Sequence, residues 1–158
     1  MNIRPKTDAD LKWVRSLLQG RWGSVEVVSR YHIHHADMLP GFIAIDNDQP
    51  AGLITYKLGN VDCEIVSLDS LDIGTGIGTA LVKAVVDKAR ENNSKRIWLI
   101  TTNDNIDAMK FYQKVGFSFV AIHRNAIIES RKLKPIIPEV GHDGIPIKDE
   151  IEFELILQ

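Results

Sequence analysis

The stretch "DIGTGIGTAL", Asp72–Leu81, places a glycine at every second position, Gly74, Gly76 and Gly78, and then turns apolar. Glycines at this density let a backbone approach a ligand closely, most often a phosphate. A P-loop would need Lys and then Ser or Thr after the last glycine. Thr79 and Ala80 stand there instead, so no lysine reaches the phosphates. A dinucleotide fingerprint begun at Gly74 would need glycine at position 79, which is threonine, and would open a series of parallel units. The surroundings of the stretch must therefore decide.

Upstream, "GFIAI" and "AGLITYKL" flank the turn "DNDQP" and predict an antiparallel hairpin, with "CEIVSLDSL" as the next strand. Downstream, Ile77, Leu81, Ala84 and Val85 recur at helical spacing between Gly76 and Arg90. "RIWLITT" is an apolar run suited to a strand covered on both faces. "NDNIDAMKFYQKVGF" predicts a second helix, with Ala108, Phe111, Tyr112 and Val115 on one face and Gly116 at its end. A right-handed crossover makes "CEIVSLDSL" and "RIWLITT" parallel neighbours, with the glycines where strand enters helix.

Further out, "NIRPK" predicts an opening strand. "TDADLKWVRSLLQG" predicts a helix capped by Thr7 with Asp10 and stopped at Gly20. Arg21 to Leu39 reads as irregular. "FSFVAIH" and "EIEFELIL" are late strands, separated by the Pro- and Gly-rich loop "KPIIPEVGHDGIP". The fold class is α/β: one domain over residues 1–158, its mixed sheet mostly antiparallel around a single strand-helix-strand crossover.

The 158 residues carry 44% hydrophobic side chains and a net charge of -2. That is enough for one substantial core, and it gives no basic field for nucleic acid or an anionic membrane. No apolar run is long enough to span a bilayer, and "MNIRPKTDADLKWV" lacks a signal-peptide core. The lone Cys63 excludes an internal disulfide framework, fits a reducing cytoplasm and reads as a packing residue.

The arrangement resembles the GNAT-type N-acetyltransferase superfamily, whose acyl donor is acetyl-CoA. That family carries Gln or Arg, two residues, Gly, one residue, then Gly or Ala, between a strand and a helix. Gly76-Ile77-Gly78 matches the glycine part. Downstream the family carries Asn-x-x-Ala, an aromatic pair ending in Tyr, then Gly-Phe. Asn105, Ala108, Phe111-Tyr112 and Gly116-Phe117 follow in that order. The match covers about Glu64 to Phe117. It departs at Ile73, where the family has Gln or Arg, and at "SLDSL", where the family commonly ends the strand in Val-x-Pro.

The residues themselves allow a donor nest for a pyrophosphate. It would be formed by consecutive N–H groups of Ile73, Gly74, Thr75, Gly76, Ile77, Gly78 and Thr79 at a helix N-terminus. Side chains at 74, 76 or 78 would crowd that ligand; alternatively the glycines serve a tight turn and helix packing. The resemblance implies two splayed parallel strands. The pantetheine arm would lie along "CEIVSLDSL" near the backbone of Leu68 and Ser70, and Asn105 would reach it while also capping its helix. It implies Glu64 as base, with Asp69 a weaker candidate, and Tyr112 as the general acid beside the cofactor. Each has a plain alternative: an exposed strand carboxylate for Glu64, a core aromatic for Tyr112.

"RYHIHHAD" invites a metal reading for His32, His34 and His35, but no carboxylate or cysteine cluster stands at ligand spacing. The resemblance requires no metal. It assigns the region after the first helix to the acceptor wall, with Trp22, Tyr31 and His35 as wall residues; a surface loop is the alternative. The expected function is acetyl or short-acyl transfer from acetyl-CoA to a primary amine of a small molecule or peptide. A non-catalytic acyl-CoA-binding module is the main alternative. The late loop is long enough to cover the acceptor cleft or a partner subunit, so a homodimer stays open.

Overall fold

The computed structural model describes every residue, Met1–Gln158. Its frame is a seven-stranded sheet. Strands β1 (Asn2–Pro5), β4 (Gly41–Asp46), β5 (Gln49–Leu58) and β6 (Asp62–Ser70) form an antiparallel half. Strands β7 (Arg96–Thr102), β9 (Glu150–Ile156) and β8 (Ser118–His123) continue the sheet in that order, again antiparallel to one another. The sole parallel pair, β6 with β7, joins the halves through helix α2 (Ile77–Glu91).

Pleat alternation sends neighbouring residues to opposite faces. Ala44, Ile54 and Ile65 face α2 and helix α3 (Ile106–Lys114), in a core with Leu81, Val85 and Phe153. Ile43, Leu53 and Val66 face helix α1 (Leu11–Trp22), where Val14 and Leu18 are wholly buried. Each such aliphatic side chain taken from water contributes about 1.5–3 kcal/mol. Cys63 is fully buried, and burial pushes its thiol up to about 12, so it packs rather than reacts.

Three expectations change. The α1 helix runs through Gly20 to Trp22 and ends at Gly23, which takes φ 75. Gly20 is tolerated because nothing requires a positive φ there, whereas the chain reversal at Gly23 does. The segment expected to be irregular holds a separate hairpin, β2 (Glu26–Ser29) with β3 (His32–His35), turning at Arg30 and Tyr31 with φ 45 and 67. That turn lacks the Asn-Gly signature of such hairpins, so its sequence gave no signal. Finally, helix α4 (Ala126–Leu133) precedes the late loop. It buries Ala126, Ile127 and Ser130, a spacing of one helical turn that was available in the sequence.

No helix is long and apolar enough to cross a membrane.

Candidate active site

The β6–β7 pairing lasts only from Asp62–Arg96 to Ile65–Leu99. Beyond it, β7 stays on β9 through Thr102, while β6 stays on β5 through Ser70. The register of β5 with β6 shifts between Thr55 and Tyr56, leaving Val66 as the extra residue of a bulge. A bulge bends its strand and increases twist, and this one falls where the two strands part. The β7-facing edge of Val66–Ser70 therefore has no strand partner. A cavity of about 700 Å³ opens beside it, with Glu64, Leu68, Asp69, Thr102 and Asn105 in its lining.

The glycine turn follows directly from the end of β6 and leads into α2. Gly74 and Gly76 take φ 83 and 84, and a Cβ built at either meets nothing within 4 Å. The turn is braced internally: the Ser70 and Thr75 hydroxyls both donate to the Asp72 carbonyl, at 3.0 and 2.8 Å. The first α2 residue to bond within the helix is Ala80, to the Gly76 carbonyl at 3.0 Å. The N–H groups of Ile77, Gly78 and Thr79 find no acceptor in the protein, as at any uncapped helix start. Gly78 differs from its neighbours. A Cβ there lies 3.2 Å from the Phe111 ring, so this glycine serves the packing of α2 on α3. The Ile73 side chain stands in solvent, 93% exposed.

Glu64 is buried on the hairpin face of β6. The Ser29 hydroxyl donates to its Oε2 at 2.5 Å, and His34 Nε2 lies 3.5 Å from its Oε1. Ser29 Oγ is also 3.1 Å from His34 Nε2. With the hydroxyl donating to Glu64, Ser29 accepts from a His34 Nε2–H. Desolvation raises Glu64 to about 7, with the Ser29 bond opposing it, and burial lowers His34. Glu64 is thus neither an exposed strand carboxylate nor an ordinary acid. It is a carboxyl poised near neutrality.

Tyr112 occupies the opposite core, edge-on to Phe111 and Phe117 and beside Phe153. Its ring is buried and does not line the cavity; its hydroxyl has no hydrogen bond within the protein. Burial, and then the charge of Asp69, raise its pKa, so the phenol stays protonated. Asp69 accepts from Trp22 Nε1 at 3.0 Å, and burial raises its own pKa. Asn105 caps α3, its Oδ1 accepting from the Ala108 N–H at 3.2 Å, while also bordering the cavity.

Of the three expected wall residues, Trp22 lines the cavity; Tyr31 and His35 do not. Tyr31 is exposed under the Arg30 guanidinium, 5.2 Å from its ring centroid, and His35 is exposed. Alternation along β3 turns His34 inward to Glu64 and His35 to the other face, while His32, on the side of His34, is exposed. Residues that sequence reasoning did not assign to the wall complete the surroundings of Glu64; Ser29 lines the cavity, and His34 sits behind it outside the lining. Ser29 and His34 flank Glu64. Glu150, 1% exposed, also borders the cavity and is held by the Arg30 N–H and guanidinium at 3.2 and 2.9 Å. Ser29 carried no signal; His34 stood in the histidine run read for a metal, and the charged face of "EIEFELIL" begins at Glu150.

An α/β sheet whose one parallel pair splays over a buried carboxyl, with free N–H groups where its first strand meets a helix, defines the GNAT fold class. The chain belongs to the acetyltransferase (GNAT) family, whose model matches residues 11–117. An uncharacterized Bacillus subtilis protein, YdhI, is 42% identical over 99% of both chains. Among solved structures, a Bacillus subtilis acetyltransferase in complex with CoA superimposes with a TM-score of 0.70 at 20% identity, covering 99% of this chain and 100% of that one. A GNAT family acetyltransferase from Elizabethkingia anophelis with acetyl-CoA bound gives 0.69 at 22% identity, covering 99% of this chain and 97% of that one. At those identities the likeness speaks to the fold.

Proposed function

We propose that this chain transfers an acetyl or other short acyl group from acetyl-CoA to a primary amine by direct attack. The observation that carries the reading is Glu64, a buried carboxyl raised to about 7 inside the cavity where β6 and β7 part. An alkyl ammonium of pKa ~10.4 has no lone pair, and a carboxylate beside it in a desolvated site is suited to removing its proton.

The residues fit the donor. The N–H groups of Ile77, Gly78 and Thr79 suit a pyrophosphate, and the open space over Gly74 and Gly76 admits it. Ile73 and Thr75 frame the turn. The unpaired edge near Leu68 and Ser70 suits the amides of the pantetheine arm, added like a strand, with Asn105 nearby. Bound there, acetyl-CoA supplies an acyl group already activated as a thioester. Glu64 accepts the acceptor's proton, and Ser29 fixes that carboxyl by its 2.5 Å bond. A backbone N–H near Leu68 steadies negative charge on the carbonyl oxygen. Tyr112, kept protonated by burial, would donate to the departing sulfur if the bound arm reaches its side of the parted strands, since the cavity itself does not touch its ring. No step calls for a metal, and the reading fits a cytoplasmic enzyme.

The test is acetyl-CoA with a panel of amines, read as free thiol. Acceptor-dependent release supports transfer. Tight acetyl-CoA binding without release from any amine supports a binding module instead.

A further inference from the structure

The cavity wall opposite β6 is built by α4 and the loop after it, and that wall is stapled at both ends. On one side Lys134 Nζ donates to the carbonyls of Trp22 and Glu26, at 3.1 and 2.7 Å. On the other, Asp104 accepts from the His142 N–H at 3.0 Å, and Asn103 bonds the Pro146 carbonyl and the N–H groups of Lys148 and Asp149, at 2.8, 2.9 and 3.0 Å. Arg131 Nη2 ties the wall internally through the Pro138 and Ile147 carbonyls at 2.8 and 2.7 Å. The stapled segment therefore bridges the cleft from the end of α1 to the end of β7.

Its inner surface is mostly aliphatic, with Ser130, Lys134 and His142 among the apolar residues. Ile136, Ile137, Pro138, Val140 and Ile147 border the cavity. Ile136 and Val140 are 58% and 54% exposed, although they stand in a cavity wall. The charges of the cavity are mostly spent. Both Glu150 oxygens take bonds from Arg30, and both Asp104 oxygens take bonds, from Thr102 and His142. Asp69 holds Trp22. Lys134 is committed to its two carbonyls. What remains for an incoming cation is Glu64, with one oxygen bonded to Ser29 and the other 3.5 Å from His34.

We infer that the acceptor is a small primary monoamine with an apolar aliphatic or aryl-alkyl body, seated with its nitrogen at Glu64 and its body under the Ile136–Ile147 wall. This inference rests on the transferase reading and narrows it. A second ammonium placed under an aliphatic wall would be buried without a partner. A sugar-based polycation would leave its hydroxyls unpaired there. An extended peptide would have to pass the stapled bridge.

The experiment measures thiol release by the full chain with acetyl-CoA and, separately, phenethylamine, isoamylamine, spermidine, kanamycin and an alanine tripeptide. The expected result is a kcat/KM for phenethylamine or isoamylamine at least ~10-fold above each of the other three. The Ile137→Asp variant should raise the KM for the preferred amine ~10-fold or more with kcat within about twofold, because the wall contacts the body and not the reacting atoms. Preference for spermidine, kanamycin or the peptide overturns the inference and leaves transfer standing. An Ile137→Asp variant that folds, by circular dichroism, and keeps its KM overturns the placement of the amine's body. Acetyl-CoA binding without release from any of the five overturns the transferase reading, and this inference with it.

Discussion

The two halves of the candidate site are built from different materials. The glycine turn at Asp72–Thr79 is a local object, and what it offers is mainly backbone: N–H groups at a helix start, in a turn that Gly74 and Gly76 permit through positive φ. The acceptor side is assembled from side chains far apart in sequence. Ser29 reaches Glu64 across 35 residues, and Arg30 reaches Glu150 across 120. A backbone site tolerates side-chain change, which is how Ile73 can stand in solvent where the family carries Gln or Arg. A side-chain site has no such tolerance, because each buried polar group there is matched to another.

The sharpest way to test that contrast is Glu64→Gln, which keeps the shape and removes the proposed base. We expect the transfer rate to fall ~10³-fold, within the usual range for general acid–base assistance, with acetyl-CoA affinity unchanged. The wild-type rate should rise with pH through about 7 as Glu64 ionises, and the variant should lose that rise. A variant with the wild-type profile would move the base elsewhere. Next in size is Tyr112→Phe. Its hydroxyl has no protein partner, so removal leaves the packing against Phe111, Phe117 and Phe153 intact. Single-turnover transfer should slow ~10²-fold, the low end of general-acid effects because a thiolate already leaves readily. The loss should shrink with a more acidic thiol, and an unchanged rate would reduce Tyr112 to a core aromatic.

Gly76→Val tests the backbone half. Gly76 sits at φ 84, which a β-branched residue enters only with strain, and its side chain would project where the nest opens. Calorimetry should show acetyl-CoA affinity reduced ~10-fold or more; retained affinity in the folded variant would confine the glycine to the turn. Gly78→Ala should behave differently, because its Cβ meets the Phe111 ring at 3.2 Å. It should move stability by no more than about 1 kcal/mol, overpacking against Phe111 opposing the helix-propensity gain of Ala, and leave acetyl-CoA affinity unchanged.

A further expected effect is on the pH dependence of stability. Burial lifts Glu64 from its ordinary 4.5 to about 7, so between those values the folded chain holds a proton that the unfolded chain has released. Its stabilising contribution is full below about 4.5 and is lost as pH rises through about 7. Urea denaturation across that window should show stability falling with pH, and Glu64→Gln should flatten that slope.

Much of this was legible in the chain because it is local. "RIWLITT" was read with the bounds of β7, and Asn105, Ala108 and Tyr112 follow from helix periodicity and capping. The glycines at 74, 76 and 78 were read as turn or ligand-approach residues, and Gly74 and Gly76 do take a φ that few other residues accept. Glu64 could be placed on its strand, but its environment could not. The neighbours that desolvate it come from a hairpin whose turn, Arg30-Tyr31, carries no turn residue. Alternation then chose His34 over His35, a one-residue difference that only the β2–β3 register fixes.

The sequence by itself determined the central strand-helix-strand crossover and the glycine-rich turn that opens its helix, since each is set by residues close together in the chain. The tertiary structure alone decided that β6 leaves β7 after Ile65, that Ser29 and His34 meet Glu64, and that Lys134 and Asn103 staple an aliphatic wall across the gap. Those facts depend on which distant side chains are forced together when the sheet and its two faces close. A buried carboxyl acquires its pKa only from that closure, through the water it loses and the partners it gains.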